Sequence, residues 1–188
     1  MARGSRDQGG GEAADPEAVA RLISLRLLTA APRTKAQLAE ALRRKGVPEQ
    51  AAAVVLDRFS ELGLIDDALF ASAWVESRHH GRGLARRVLV SELDRRGVGR
   101  GDIEAAVARL SPETELETVR ALVERRLAST QGQPAEVRVR RLAGMLARKG
   151  YPPGLAYRVV REALEAAGQD AAVVGLDDQQ FELADEQG

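Results

Sequence analysis

The sequence predicts an all-α fold: three tandem three-helix repeats and no sheet. Two observations carry that prediction. Composition is the first. Of 188 residues 44% are apolar, yet there are only one Trp, two Tyr and three Phe. A core of Leu, Val, Ile and Ala, in a chain rich in Ala, Leu, Arg and Glu, suits packed helices better than a sheet. Self-similarity is the second. "LAEALRRKGVPEQAAAVVLDRF" from Leu38, "LVSELDRRGVGRGDIEAAVARL" from Leu89 and "LAGMLARKGYPPGLAYRVVREA" from Leu142 share one plan. Each has two leucines four apart, two basic residues, a glycine, an apolar residue and a second apolar helix. Gly46, Gly97 and Gly150 lie 51 and 53 residues apart, a period that marks a helical repeat array.

Each element follows from local chemistry. Leu38/Leu42, Leu89/Leu93 and Leu142/Leu146 lie on one helix face at i,i+4. The glycine ends that helix, because the position after the cap needs positive φ. The preceding basic pair sits in the last turn, where cations suit the helix dipole. Pro48, or Pro152 and Pro153, opens the next helix. A further helix precedes each pair, over about Pro16–Ala30, Asp67–His79 and Glu115–Ser129. In "LIDDALFASAW", Asp66 is a good N-cap, and Ile65 and Phe70 have hydrophobic-staple spacing. Phe70 and Trp74 are one turn apart and read as core, with base stacking by Trp74 the lesser alternative.

These elements divide the chain into an N-terminal arm (1–15), repeats over 16–66, 67–113 and 114–168, and an acidic tail (169–188). The arm, Gly-rich and aperiodic, reads as flexible and the tail as disordered.

Twenty-eight basic and 28 acidic residues cancel overall but not locally. Residues 78–100 carry seven arginines against Glu92 and Asp94, and residues 134–161 carry seven Arg/Lys against Glu136. Residues 165–188 carry seven acids and no base. A basic middle and an acidic end imply charged partners. The tail is also a candidate mask for the basic face. Twenty-five of the basic residues are arginine, whose planar fork suits phosphates and carboxylates.

Several chemistries are excluded. Without cysteine there is no disulfide, Cys-ligated zinc or thiol chemistry. With no signal peptide and no apolar run of membrane length, the protein reads as soluble and cytoplasmic. His79 and His80, the only histidines, point about 100° apart on a helix and do not readily share a metal ion. Gly81-Arg82-Gly83 begins like a dinucleotide loop, but the sixth position is Arg86 and no strand precedes it. No phosphate-binding loop and no Ser/His/Asp set stands out. The reading is a non-enzyme without cofactor or metal, expected to be a monomer, with His79/His80 as incidental polar surface.

What remains is the basic face. Arg78, Arg82, Arg86 and Arg87 flank a bend made by Gly81 and Gly83, and Arg95 and Arg96 end the following helix. Arg138, Arg140, Arg141, Arg148 and Lys149 form a related cluster in the third repeat. Exposed ion pairs contribute only about 0–1 kcal/mol, so the fold does not need these cations. They are the candidate contacts to a partner, either nucleic acid or an acidic protein surface. A plain helical scaffold and a DNA-binding module acting alone are the competing readings.

"LIDDALFASAWVESR" followed by "HGRGLARRVLVSELDRRGV" resembles the RecX family, regulators of the bacterial recombinase RecA. Ile65, Asp66, Asp67, Phe70, Ala71, Trp74, Arg78, Gly81, Gly83, Arg87, Glu92, Leu93, Gly97 and Val98 fill that family's middle-repeat pattern. The resemblance implies an elongated, curved solenoid binding in the groove of the RecA–DNA filament. It also implies inhibition of filament growth, strand exchange, ATP hydrolysis and SOS co-protease activity. The basic second and third repeats themselves make single- or double-stranded DNA, met through its phosphates, a further candidate partner, and without an apolar run of membrane length no membrane is expected. The resemblance says nothing about the arm or the tail.

Overall fold

A computed structural model of the chain describes residues 15–168; the acidic tail, and the arm except Asp15, lie outside the described residues. Among these, nine α-helices and one 3-10 turn follow one another with no strand. They are α1 (Pro16–Ala30), α2 (Lys35–Arg44), α3 (Glu49–Glu61), α4 (Asp67–Arg82) and α5 (Arg86–Asp94). Then come α6 (Arg100–Val107), α7 (Pro112–Leu127), the 3-10 turn Ala128–Thr130, α8 (Ala135–Arg148) and α9 (Pro153–Ala166). The chain divides into two compact units at Asp67/Ala68.

Caps begin the helices where the sequence supplies them. Asp15 Oδ1 accepts from the Glu17 N–H at 3.1 Å, so it belongs to α1 and not to the arm. Thr34 and Gln37 form a reciprocal capping box on α2. Ser111 Oγ accepts from the Thr114 N–H at 3.2 Å and Pro112 follows it, so α7 starts three residues before the expected Glu115. Its expected end at Ser129 is instead taken up by the 3-10 turn.

The first unit is a three-helix bundle. α1 and α2 both pack on α3, enclosing Ala20, Leu38, Leu42, Val55, Leu56 and Phe59. Ile65 is buried in this core, whereas Phe70 packs against the core of the second unit. The staple pattern therefore joins no single core.

The second unit holds two bundles. Leu89 and Leu93 of α5 face Ile103 and Val107 of α6, with Ala71 and Val75 of α4. Leu142 and Leu146 of α8 face Val159, Val160 and Leu164 of α9, with Val119 and Val123 of α7. All six repeat leucines are at most 2% exposed, and burial stabilises by about 1.5–3 kcal/mol each.

The glycine stops are built alike three times. Gly46, Gly97 and Gly150 take φ of 77°, 73° and 92°. The next residue then donates its N–H back to the second leucine of its repeat. Val47 reaches Leu42 O at 3.1 Å, Val98 reaches Leu93 O at 3.2 Å and Tyr151 reaches Leu146 O at 3.2 Å.

The bend after α4 differs from the expected one. The helix continues through Gly81 to Arg82, and Gly83 alone turns the chain, at φ 61°. A non-glycine residue is strained there, and one glycine suffices because its N–H donates to His79 O at 2.7 Å.

Candidate functional site

Within the second unit, the α4–α5 corner meets the turn after α8. The Ala85 N–H donates to Lys149 O at 2.9 Å, and Lys149 Nζ donates to the Arg82 carbonyl. Two glycines allow the approach. A Cβ on Gly83 would lie 2.8 Å from Leu122 Cδ1, and one on Gly150 would run into Val88. Glu115 of α7 accepts from the Arg86 N–H at 2.8 Å. It thus supplies, from another repeat, the carboxylate that α5 lacks at its own N-terminus.

His79 belongs to the same seam, which corrects its reading as surface. It is 1% exposed, with Nδ1 3.0 Å from Leu84 O and Nε2 2.9 Å from Thr118 Oγ1. A carbonyl only accepts, so Nδ1 carries the proton. Sequence neighbours gave no sign of this, because Thr118 lies in the next repeat. His80 is exposed. Among the described residues no group of three or more His, Cys, Asp or Glu gathers as a metal site.

The arginines separate into distinct environments. Arg78 and Arg96 hold Trp74, their guanidinium carbons 4.2 and 3.7 Å from its ring centroid. Trp74 Nε1 donates to Glu92 Oε2 at 2.8 Å, Arg96 Nη1 donates to Glu92 O at 2.7 Å, and Phe70 stacks on Trp74 at 5.7 Å. Trp74 is thus a half-buried clamp between α4 and the end of α5. Burial lowers the Arg96 pKa, Glu92 opposes that, and Arg78 and Arg95 add to the lowering.

Arg138 is a correction. It is 2% exposed and donates to Thr130 Oγ1 at 3.0 Å and Leu127 O at 3.3 Å, satisfying the carbonyl end of α7. It holds the fold and offers nothing to a partner. Arg82, Arg86, Arg87, Arg95, Arg140, Arg141 and Arg148 are exposed, with Arg141 also bonded to Gln133 Oε1 at 3.1 Å.

Two cations absent from the expected set join them. Arg125 and Arg126 are exposed in the last turn of α7. Burial holds the Lys149 ammonium below the usual lysine range, and Arg125, Arg126 and Arg82 lower it further. None of the ion pairs among the described residues includes any of these four. Alignment of the repeats held the signal: Arg125 and Arg126 end the first helix of the third repeat, as Arg82 ends that of the second.

Models of the RecX first, second and third three-helix domains match residues 20–59, 66–107 and 113–160. The regulatory protein RecX of Thermobifida fusca is 61% identical over 166 residues, covering 87% of this chain and 90% of that protein. That of Streptomyces coelicolor is 57% identical over 171 residues, covering 91% of each. Among solved structures, RecX from Lactobacillus salivarius aligns at TM-score 0.71 over 79% of this chain and 97% of its own, at 18% identity. A second crystal structure of regulatory protein RecX aligns at 0.68, with 79% and 73% covered, at 23% identity. At those identities the structural likeness is one of fold. With three domain models in register over most of its length and curated relatives this similar, the chain belongs to the RecX family.

Proposed function

We propose that this chain regulates RecA, mainly as an inhibitor, by binding in the groove of the RecA–DNA filament and modulating ATP hydrolysis, strand exchange and SOS co-protease activity. Family membership already gives it a regulatory role; the filament, the groove and the sign of the effect are the proposal. The observation that carries it is the concentration of exposed cations on the second and third repeats: Arg82, Arg86, Arg87, Arg95, Arg140, Arg141 and Arg148. A docking surface of this kind needs no catalytic group and no cofactor, so the protein acts as a non-enzyme, as a monomer in the cytoplasm. No helix among the described residues is long and apolar enough to cross a membrane.

The test is a titration of the protein into its own organism's recombinase on single-stranded DNA, followed by ATP hydrolysis. Hydrolysis falls as the protein approaches stoichiometry with the recombinase. An unchanged rate at stoichiometric excess rejects the reading.

A further inference from the structure

The first two repeats are closed by residues that follow their last helix. After α3, Gly63 turns the chain at φ 70° and Ile65 is buried in the first core. Asp67, the first residue of α4, then accepts from the Lys35 N–H at 2.9 Å, at the start of α2. After α6, Leu110 is buried in the core of its own repeat, and Glu115, in the first turn of α7, accepts from the Arg86 N–H at the start of α5. An apolar residue that seals and a carboxylate that caps therefore recur. The third repeat has neither among the described residues. Its core ends at Leu164, and Leu127, whose carbonyl meets Arg138 of α8, is only partly buried against it. α8 follows Pro134 with no side-chain cap. Yet the chain leaves α9 as it leaves α3. Gly168 has φ 74° and donates its N–H to Glu165 O at 2.9 Å, and Gly63 donates to Ser60 O at 3.0 Å.

Past Gly168 the sequence supplies both missing groups. "LDDQQF", Leu176 to Phe181, matches "IDDALF", Ile65 to Phe70, without a gap. Each has an apolar residue, two aspartates and a phenylalanine five positions after the apolar one, which is N-cap and hydrophobic-staple spacing. Acidity alone does not require a leucine and a phenylalanine at that spacing. We infer that Leu176–Phe181 is the start of a fourth repeat and docks on the third, with Leu176 sealing the core of α7, α8 and α9 and Asp178 capping α8 as Asp67 caps α2. The carboxylate suits a helix N-terminus by charge. It is also within reach. Asp67 lies six residues past α3, Glu115 eight past α6 and Asp178 twelve past α9. The extra residues lengthen a loop, whose closure cost rises only with the logarithm of its length. Little chain is needed, because the last turns of a repeat's third helix lie beside the start of its second: Lys35 of α2 pairs with Asp57 of α3 at 2.6 Å in the first repeat.

This inference is independent of the filament reading, and its test uses no recombinase. The chain has no cysteine, so an introduced pair reports proximity directly. Glu136→Cys with Gln179→Cys puts one thiol in the first turn of α8 and one next to Asp178. Arg87→Cys with Gln179→Cys is the comparison. Arg87 lies on the basic face near the other end of α8, where Ala85 meets Lys149, about 20 Å from the start of that helix. Amide hydrogen exchange is followed on the full cysteine-free chain and on three variants: Leu176→Ser, Asp177→Asn with Asp178→Asn, and the charge-matched control Asp185→Asn with Glu186→Gln.

Mild oxidation should link the Glu136 pair and leave the Arg87 pair unlinked. Residues 178–183 should exchange about tenfold or more slowly than an unstructured chain. Leu176→Ser and the Asp177/Asp178 variant should each abolish that protection and speed exchange at Ala135 and Glu136, and the Asp185/Glu186 control should change neither. Linking of the Arg87 pair alone overturns the inference and makes the tail a mask over the basic face. Exchange of 178–183 at the unstructured rate, or failure of both pairs to link, also overturns it. So do equal effects of the two acid pairs, because net charge and not the matched residues would then be acting.

Discussion

The turn at Gly46 and the turn at Gly150 use the same residues to opposite ends. Both follow a leucine pair and a basic pair, both take positive φ, and both close with a bond from the next N–H to the second leucine. Around Gly46 there is open space, and Lys45 before it is exposed. Gly150 is buried against Val88 and Ala85, and Lys149 before it reaches the Arg82 carbonyl. Stopping the helix is therefore a local property of the motif. What the stopped helix then builds depends on the repeat beside it. In the second unit the turn becomes half of a cationic seam.

Substitutions can break this comparison or sharpen it, and denaturant unfolding of the full chain reads most of them. The largest effect is expected where the two turns agree. Leu42→Ala and Leu146→Ala each remove a side chain that is 0% exposed, and each should destabilise its own bundle by about 2–5 kcal/mol. A large difference between them would mean that the motif is not an equivalent core in the two units. Gly150→Ala comes next, at about 2–4 kcal/mol, because strain at positive φ adds to overpacking against Val88. Gly46→Ala meets only the strain, about 1 kcal/mol. Equal losses at the two glycines would show that the seam adds nothing. Glu115→Gln weakens the cap that α7 lends to α5, at about 0.5–1 kcal/mol.

The smallest effect at neutral pH concerns Tyr151, which stands where the other repeats have Val47 and Val98. Its ring is 1% exposed and its hydroxyl has no hydrogen-bond partner among the described residues. Burial, and then the Glu115 charge, push its pKa above the ordinary value of 10.0. A raised folded-state pKa contributes stability that is fully present below about pH 10 and is lost as pH climbs from there toward the folded value. Tyr151→Phe should therefore change stability little at pH 7 and remove the loss that Tyr151 contributes above pH 10. A matching alkaline profile in wild type and variant would show that Tyr151 ionises as freely folded as unfolded.

Much of the fold was legible because its signals are short-range. The helix α1, the leucine faces and the glycine stops each depend on residues within about five positions. Even the bend misplaced at Gly81 was a local error of three residues at the end of α4, since a side chain at Gly81 would meet nothing within 4 Å and only Gly83 takes positive φ. The candidate site was legible only as a count of cations. Arg138 and Arg140 look equivalent in "EVRVRR", yet one closes the end of α7 from inside and the other is exposed. Their difference lies in which side of α8 meets the preceding 3-10 turn, and no charge count contains that.

By itself, then, the sequence determined the helices, their order, their repetition and the family. Those properties rest on contacts along the chain, where a glycine needs positive φ and leucines four apart must share a face. Only the tertiary structure decided that His79 is a buried tie to Thr118, that Arg138 is structural, and that Arg125 and Arg126 join Arg82 and Lys149. Those groups are 23 to 67 residues apart, or, like Arg138, differ from a neighbour only in facing inward. The packing of one repeat on the next brings them together, and Coulomb forces respond to that distance rather than to separation along the chain.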